Sequence, residues 1–190
     1  YADLLGEGTF FEARDQFLWH FDANGSHDVK TGFAWQHVKD RFDFPVYKTG
    51  ILFYATDTRA IPIVYVGATG SGDARISTNR LAGYIQDDWA PRSNVRVNFG
   101  LRYDVDTKGN NPDFTHPLRP NGRSVDKNNI QPRGSMTWDI TGNGRSVIRA
   151  GAGLYVGRYL LVPPFGEIQQ NGISGRLIQQ RVSGLLFGLP

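Results

Sequence analysis

Between Val95 and Asp106 every second residue is apolar: Val95, Val97, Phe99, Leu101, Tyr103 and Val105. Arg96, Asn98, Gly100, Arg102, Asp104 and Asp106 stand between them. Successive side chains of a β-strand point to opposite faces, so this stretch has one greasy face and one strongly polar face. Such a strand folds in one of two settings. Its greasy face packs on a protein core, or it meets lipid while the polar face lines the inside of a transmembrane barrel.

The same period recurs along the chain, and an all-β class follows. From Phe11 to Phe21, Phe11, Ala13, Phe17, Trp19 and Phe21 share one face, with Asp15 the exception, and Glu12, Arg14, Gln16 and His20 the other. A turn at Asp22–Ser26 carries Asn24-Gly25, residues that accept positive φ. The next strand sets Val29, Phe33 and Trp35 against Asp28, Lys30, Gly32 and Gln36. A strand around Leu81–Trp89 is joined by Ala90–Asn94 to the Val95 strand. A fifth, about Arg133–Ile140, shows Met136, Trp138 and Ile140 on one face. A turn at Thr141–Arg145 leads to a sixth, with Ile148, Ala150, Ala152, Leu154 and Val156 on one face.

The stretches between alternate in length. Short turns lie at residues 22–26, 90–94 and 141–145, and long polar stretches at about 38–79, 107–131 and after Tyr159. Transmembrane barrels have this asymmetry, with short periplasmic turns and long extracellular loops. Strands of roughly nine to eleven residues also suit a tilted crossing. Trp19, Trp89 and Trp138 each stand close to a short turn on the apolar face, as an aromatic girdle at one interface would. Trp35 and Tyr103 lie toward the far ends of their strands. A sandwich core packed with aromatics remains the alternative.

Composition narrows the partners. No run of about 18 apolar residues exists, so membrane-spanning helices are excluded, whereas barrel strands escape such averages. With no cysteine there is neither a disulfide framework nor a thiolate metal site. The charge of +3 is carried by arginines spread among carboxylates rather than clustered, which argues against nucleic acid as a partner. The chain opens at Tyr1 without a leader and reads as an internal segment of a longer protein.

Pairing Trp89 with Val95 across the second short turn sets Asp88 against Arg96, Gln86 against Asn98 and Tyr84 over Gly100. Ile85 then meets Phe99 and Leu81 meets Tyr103. In the first hairpin His20 falls opposite Asp28.

The order Tyr84, Gln86, Asp87, Trp89; then Gly100, Leu101, Arg102, Tyr103, Asp104; then Pro132, Arg133, Trp138, Asp139; then Arg149, Gly151, Gly153, Tyr155 resembles the barrel of TonB-dependent outer-membrane receptors. It is most similar to the Oar-like branch, whose members carry a carboxypeptidase-regulatory-like domain. The likeness is tight over about residues 80–158, loose before that and absent after about Gly166. It implies an antiparallel up-and-down transmembrane β-barrel, of which about six strands of some 22 are present. It also implies an outer-membrane location, a plug domain and a TonB complex as partners, and a substrate that is an oligosaccharide, peptide or protein.

Enzymatic chemistry finds no footing. Asp87 and Asp88 are adjacent on a strand, point to opposite faces and cannot flank one bond. The four histidines lack metal-ligand spacing, and "TGSGD" lacks the Lys-Ser/Thr of a phosphate loop. We therefore expect no enzyme, no cofactor and no metal. Gly151 and Gly153 are expected to keep the interior face smooth. The interior charges Arg96, Arg102, Asp104, Arg133, Asp139 and Arg149 are candidates for plug contact through charged hydrogen bonds. Loop residues Tyr47, Phe53, Tyr54, Tyr65, Phe114 and Arg119 are candidates for substrate contact. The expected function is transport of a large or scarce substrate across the outer membrane. A soluble carbohydrate-binding sandwich and a TonB-independent porin or adhesin barrel are the alternatives.

Overall fold

A computed structural model describes residues 5–43, 47–54, 57, 62–173 and 177–182. Parts of the stretches at 38–79 and after Tyr159, including residues 183–190, lie outside the described residues.

Six antiparallel strands form one sheet in the order β1-β2-β5-β6-β7-β8. They are β1 (Leu5–Asp22), β2 (Ser26–Asp43), β5 (Asp73–Arg92), β6 (Val95–Asp106), β7 (Ile130–Asp139) and β8 (Val147–Gly153). Each neighbour in space is the next member in sequence, an up-and-down meander. A second sheet, β3 (Ile51–Tyr54), β4 (Pro62–Thr69) and β9 (Leu177–Val182), is built from the stretches outside the meander. One short helix, α1 (Val162–Gln169), begins with prolines at its first turn, where no amide hydrogen is needed.

The meander is a single layer. Its apolar face carries Phe11, Phe17, Trp19, Phe33, Ile85, Phe99, Leu101 and Trp138, all exposed. Among the described residues only Val38, Ala74, Ile76 and Phe165 are buried hydrophobics. A soluble sandwich buries the face that is bare here, and so large a contiguous apolar surface needs lipid or protein against it.

Three strands run well past the lengths expected. β1 and β2 have 18 residues each and β5 has 20. The stretch at 38–79 is therefore not one loop: its two ends belong to β2 and β5, and β3 and β4 lie between. The cause of the misreading is an inversion of polarity. Up to the row Phe11, His37, Asn79 the outer face is mainly apolar, Asp15, Thr31, His27 and Asp87 excepted, and the inner mainly polar. Beyond it Thr9, Lys39 and Ser77, then Glu7, Arg41 and Arg75, occupy the outer side, while Val38, Phe42, Ala74 and Ile76 turn inward. The ladder continues without a break through this point. The period of two persists while its phase flips, and that erases an alternation signal.

On the inner side of the extension α1 supplies the missing core. Phe165 packs on Ala74, Ile76 and Phe42, its ring 5.5 Å from that of Phe42. Gln169, almost fully buried, donates to the carbonyls of Phe42 (2.7 Å) and Gly72 (2.6 Å). Glu167 is held by Arg123 and Asn111 from the β6–β7 connection.

Register agrees with expectation in the first hairpin and differs in the second. Asp22 pairs with Ser26 and His20 with Asp28, around Asn24 (φ 53°) and Gly25 (φ 120°). In β5–β6, however, Trp89 faces Val97, Asp88 faces Asn98, Gln86 faces Gly100, Tyr84 faces Arg102, Ile85 faces Leu101 and Leu81 faces Val105. The pairing is displaced by two residues from the one expected. Arg92 pairs with Val95, leaving a tight Ser93-Asn94 turn and an irregularity between Trp89 and Arg92. That bulge contains Pro91, which has no amide hydrogen for a ladder bond. Because the displacement is even, every residue keeps its face.

Candidate functional site

The inner face of the meander is organised in rows across the strands. One row reads Glu12, Gln36, Arg80, Asp106; the next Arg14, Ala34, Ala82, Asp104; the next Gln16, Gly32, Tyr84, Arg102, Gln131. Within these rows the charges are matched. Arg80 bonds Asp106 at 3.0 Å. Arg102 grips Asp104 with two nitrogens, at 2.7 and 2.8 Å. Glu12 accepts from Arg14 and Gln36, and Asp104 also accepts from Gln131.

Tyr84 reaches across β2 to β1, where its hydroxyl donates to Gln16 Oε1 at 2.9 Å. It crosses Gly32, where a Cβ would stand 2.6 Å from the tyrosine ring. Gly32, not Gly100, is thus the glycine that Tyr84 covers. At Gly100 a Cβ would meet the Ile85 carbonyl oxygen at 3.0 Å instead. Gly151 and Gly153 also face inward, where a Cβ would press on Ser135 and on Arg133 and Tyr155.

After β8 the chain returns over this inner face. Leu154 N bonds Pro132 O at 2.9 Å, Val156 N bonds Gln131 Oε1 at 3.2 Å, and the Tyr159 hydroxyl donates to Asp126 at 3.0 Å. Between this strap and the wall lies a cavity of about 700 Å³. Its lining includes Glu12, Gln36, Ala82, Arg102, Gln131 and Tyr159.

The expected interior residues divide. Arg102 and Asp104 line the cavity. Arg133 lies beside it with its guanidinium 5.6 Å from the Tyr155 ring. Arg96 and Arg149 flank Thr137 in a row nearer the short turns, and Arg96 reaches Asp88 at 3.5 Å. Asp139 shares the parity of the inner face but is taken up by its own turn. Its carboxylate caps its own turn, accepting from the amides of Gly142 (3.0 Å) and Gly144 (2.7 Å), both at positive φ.

On the outer face Trp19, Trp89 and Trp138 occupy three successive rows, each within three residues of where its strand ends. A step of one row is about 5 Å of height, and two strands of a barrel tilted by about 40° shift height by about 6 Å. Trp35 donates to Asn79 at 3.1 Å and packs edge-on against Phe11 at 5.6 Å. Tyr103 donates to Lys127 O at 3.0 Å. From Leu81 to Trp89 the apolar belt spans about 20 Å of height at that tilt, rising to about 26 Å with the Asn79 row, close to the apolar band of barrels.

Sequence reasoning missed one pair on this face. Asp87 binds the Nδ1 of His27 at 2.7 Å, and both side chains are largely covered. The imidazole stacks between Phe21 (4.8 Å) and Trp89 (5.6 Å). The available signal was His27 standing opposite Trp89, diagonal to Asp87, which becomes visible only once the β2–β5 register is known.

Of the expected loop residues, Phe53 and Tyr54 lie in β3 and Tyr65 in β4. Tyr47 holds the approach to them, its carbonyl accepting from Gly50 and Ala68. Phe114 and Arg119 belong to the separate β6–β7 connection, where Arg119 closes a turn onto Gly122 O at 3.1 Å. Among the described residues no group of three metal-ligating side chains converges, and no helix is long and apolar enough to cross a membrane.

An uncovered apolar face of bilayer height, backed by an inner face of paired charges on an antiparallel meander, defines a wall segment of a transmembrane β-barrel. The chain belongs to the outer membrane beta barrel domain family, which it matches over residues 6–176, and its place is the outer membrane. No curated protein and no solved structure matches it.

Proposed function

We propose that this barrel is that of a TonB-dependent transporter, of the Oar-like branch, moving a large or scarce substrate across the outer membrane without catalysing a reaction. Lipid bathes the outer face, a plug domain of the same protein meets the inner one, and a TonB complex supplies energy through the plug. One observation carries the reading. The motif residues sort by role: Asp87, Trp89 and Tyr103 go to the outer face, while Gln86, Arg102 and Arg133 go to the inner rows. Paired charges at the inner rows suit contacts that form and release as a plug moves.

A second reading, a TonB-independent porin-type barrel, is favoured by the strap after β8, which occupies interior space. Energy dependence separates the two. The transporter reading requires that uptake through the complete protein stop when TonB is deleted, and that Arg102→Ala raise antibiotic leakage by loosening the interior. Uptake that persists without TonB refutes it.

A further inference from the structure

We propose that the cavity between the inner face and the strap is a binding site for a short, uncharged, hydroxyl-rich chain, a neutral oligosaccharide. The inference rests on the transport reading and names its substrate class.

The floor is low where two small residues face each other, Ala34 against Ala82. On one side rise Gln36 and Arg80, on the other Tyr84, Arg102 and Gln131. The volume of about 700 Å³ falls within the range of small-molecule sites. Charge decides what fits. The lining holds four arginines (Arg14, Arg80, Arg102, Arg158) and four carboxylates (Glu12, Asp15, Asp104, Asp106). Most are already in short pairs: Arg102 with Asp104, Arg80 with Asp106, Arg14 with Glu12. At these three pairs a charged solute has to break a pair before it gains a partner of its own, and only Arg158 and Asp15 of the lining charges stand outside them. A hydroxyl donates and accepts together, so it bridges the free edges of both members of an intact pair. Gln16, whose oxygen accepts from Tyr84, has its amide nitrogen left to donate, and Gln36, whose nitrogen donates to Glu12, has its amide oxygen left to accept.

At the cavity itself Gln131 ties the strap to the wall. Gln131 is 3% exposed and spans Asp104 on the wall and the Val156 amide on the strap. It fixes the cavity's height and so the thickness of chain admitted.

The test uses the complete protein in detergent, with assembly verified by its heat-modifiable gel mobility. Maltotriose is the probe, measured by calorimetry beside triglycine and glucose 6-phosphate. Saturable maltotriose binding that exceeds both comparators is expected. Ala82→Phe, which fills the floor and removes no hydrogen bond, should weaken it at least about tenfold. Ala34→Leu serves where A82F does not assemble. Absence of maltotriose binding, preference for either comparator, or binding unchanged in the filled variants overturns the proposal. Failure of the transport reading is distinguishable: maltotriose then binds, while uptake in cells proceeds without TonB.

Discussion

Removing His27 should destabilise the barrel far more than a surface histidine has any right to. The imidazole Nδ1 donates to the Asp87 carboxylate at 2.7 Å, and Nε2 lies 3.1 Å from Ala23 O. It is sandwiched by Phe21 and Trp89 with ring planes within 1° and 12° of parallel. His27→Ala removes a hydrogen bond to a charged group, about 1.5–3 kcal/mol. It also removes two aromatic contacts, about 0.5–1.5 kcal/mol each. These contributions overlap, and the expected loss is about 3–5 kcal/mol, the range found when one partner of a covered pair is deleted. The carboxylate left behind is the larger part of the harm. Asp87 is 9% exposed and its second oxygen already has no hydrogen-bond partner. The double variant His27→Phe/Asp87→Leu keeps the stack and removes the charge, so it should recover most of the loss. Urea unfolding of the complete barrel in phospholipid vesicles, followed by tryptophan fluorescence, measures all three. A cost below about 1 kcal/mol for His27→Ala, or a double variant no better than the single, refutes the reasoning.

Gly32→Val should displace Tyr84 from its seat, break the Tyr84–Gln16 bond and cost about 1–3 kcal/mol; adding Tyr84→Ala should return part of that in the same unfolding assay. At the far end, hydrogen bonding from Arg123 holds the Glu167 carboxyl below its ordinary 4.5. The stabilisation is therefore complete above that value and is lost as pH falls through the lower folded-state value. Hydrogen exchange across Val162–Gln169, corrected for intrinsic rates, should accelerate below pH 4.5, and Glu167→Gln should abolish that dependence.

The parts legible in the sequence were those governed by a single, uninterrupted period. Face assignment along β6, β7 and the first hairpin needed only alternation and the Asn24-Gly25 turn. Two things escaped. The extensions of β1, β2 and β5 were hidden because Val38 and Thr78 begin an opposite phase, which looks like noise when read linearly. The β5–β6 register was hidden because Pro91 sits in a bulge, and turn length counted from the sequence ignores bulged residues. At the site, the charges of the inner face could be named from alternation, but their coupling could not. Asp139 illustrates the limit: its parity points inward, while two glycine amides in its own turn capture it. Tyr84 over Gly32 and His27 against Asp87 are contacts across strands, visible only when register is fixed.

The inverted faces also give the wall a preferred depth. Sinking by one row would draw Lys39 and Ser77 toward hydrocarbon, at up to about 1 kcal/mol near the interface and several times that deeper. Rising by one row would strip lipid from Phe11 and Trp35 and draw the Asp22–Ser26 turn toward hydrocarbon. Displacement either way is opposed, so the sheet floats at its own waterline. The continuous ladder beyond it then stands as a stiff collar, so that a tug on the ends of β2 and β5 is felt as force on the rows that line the cavity.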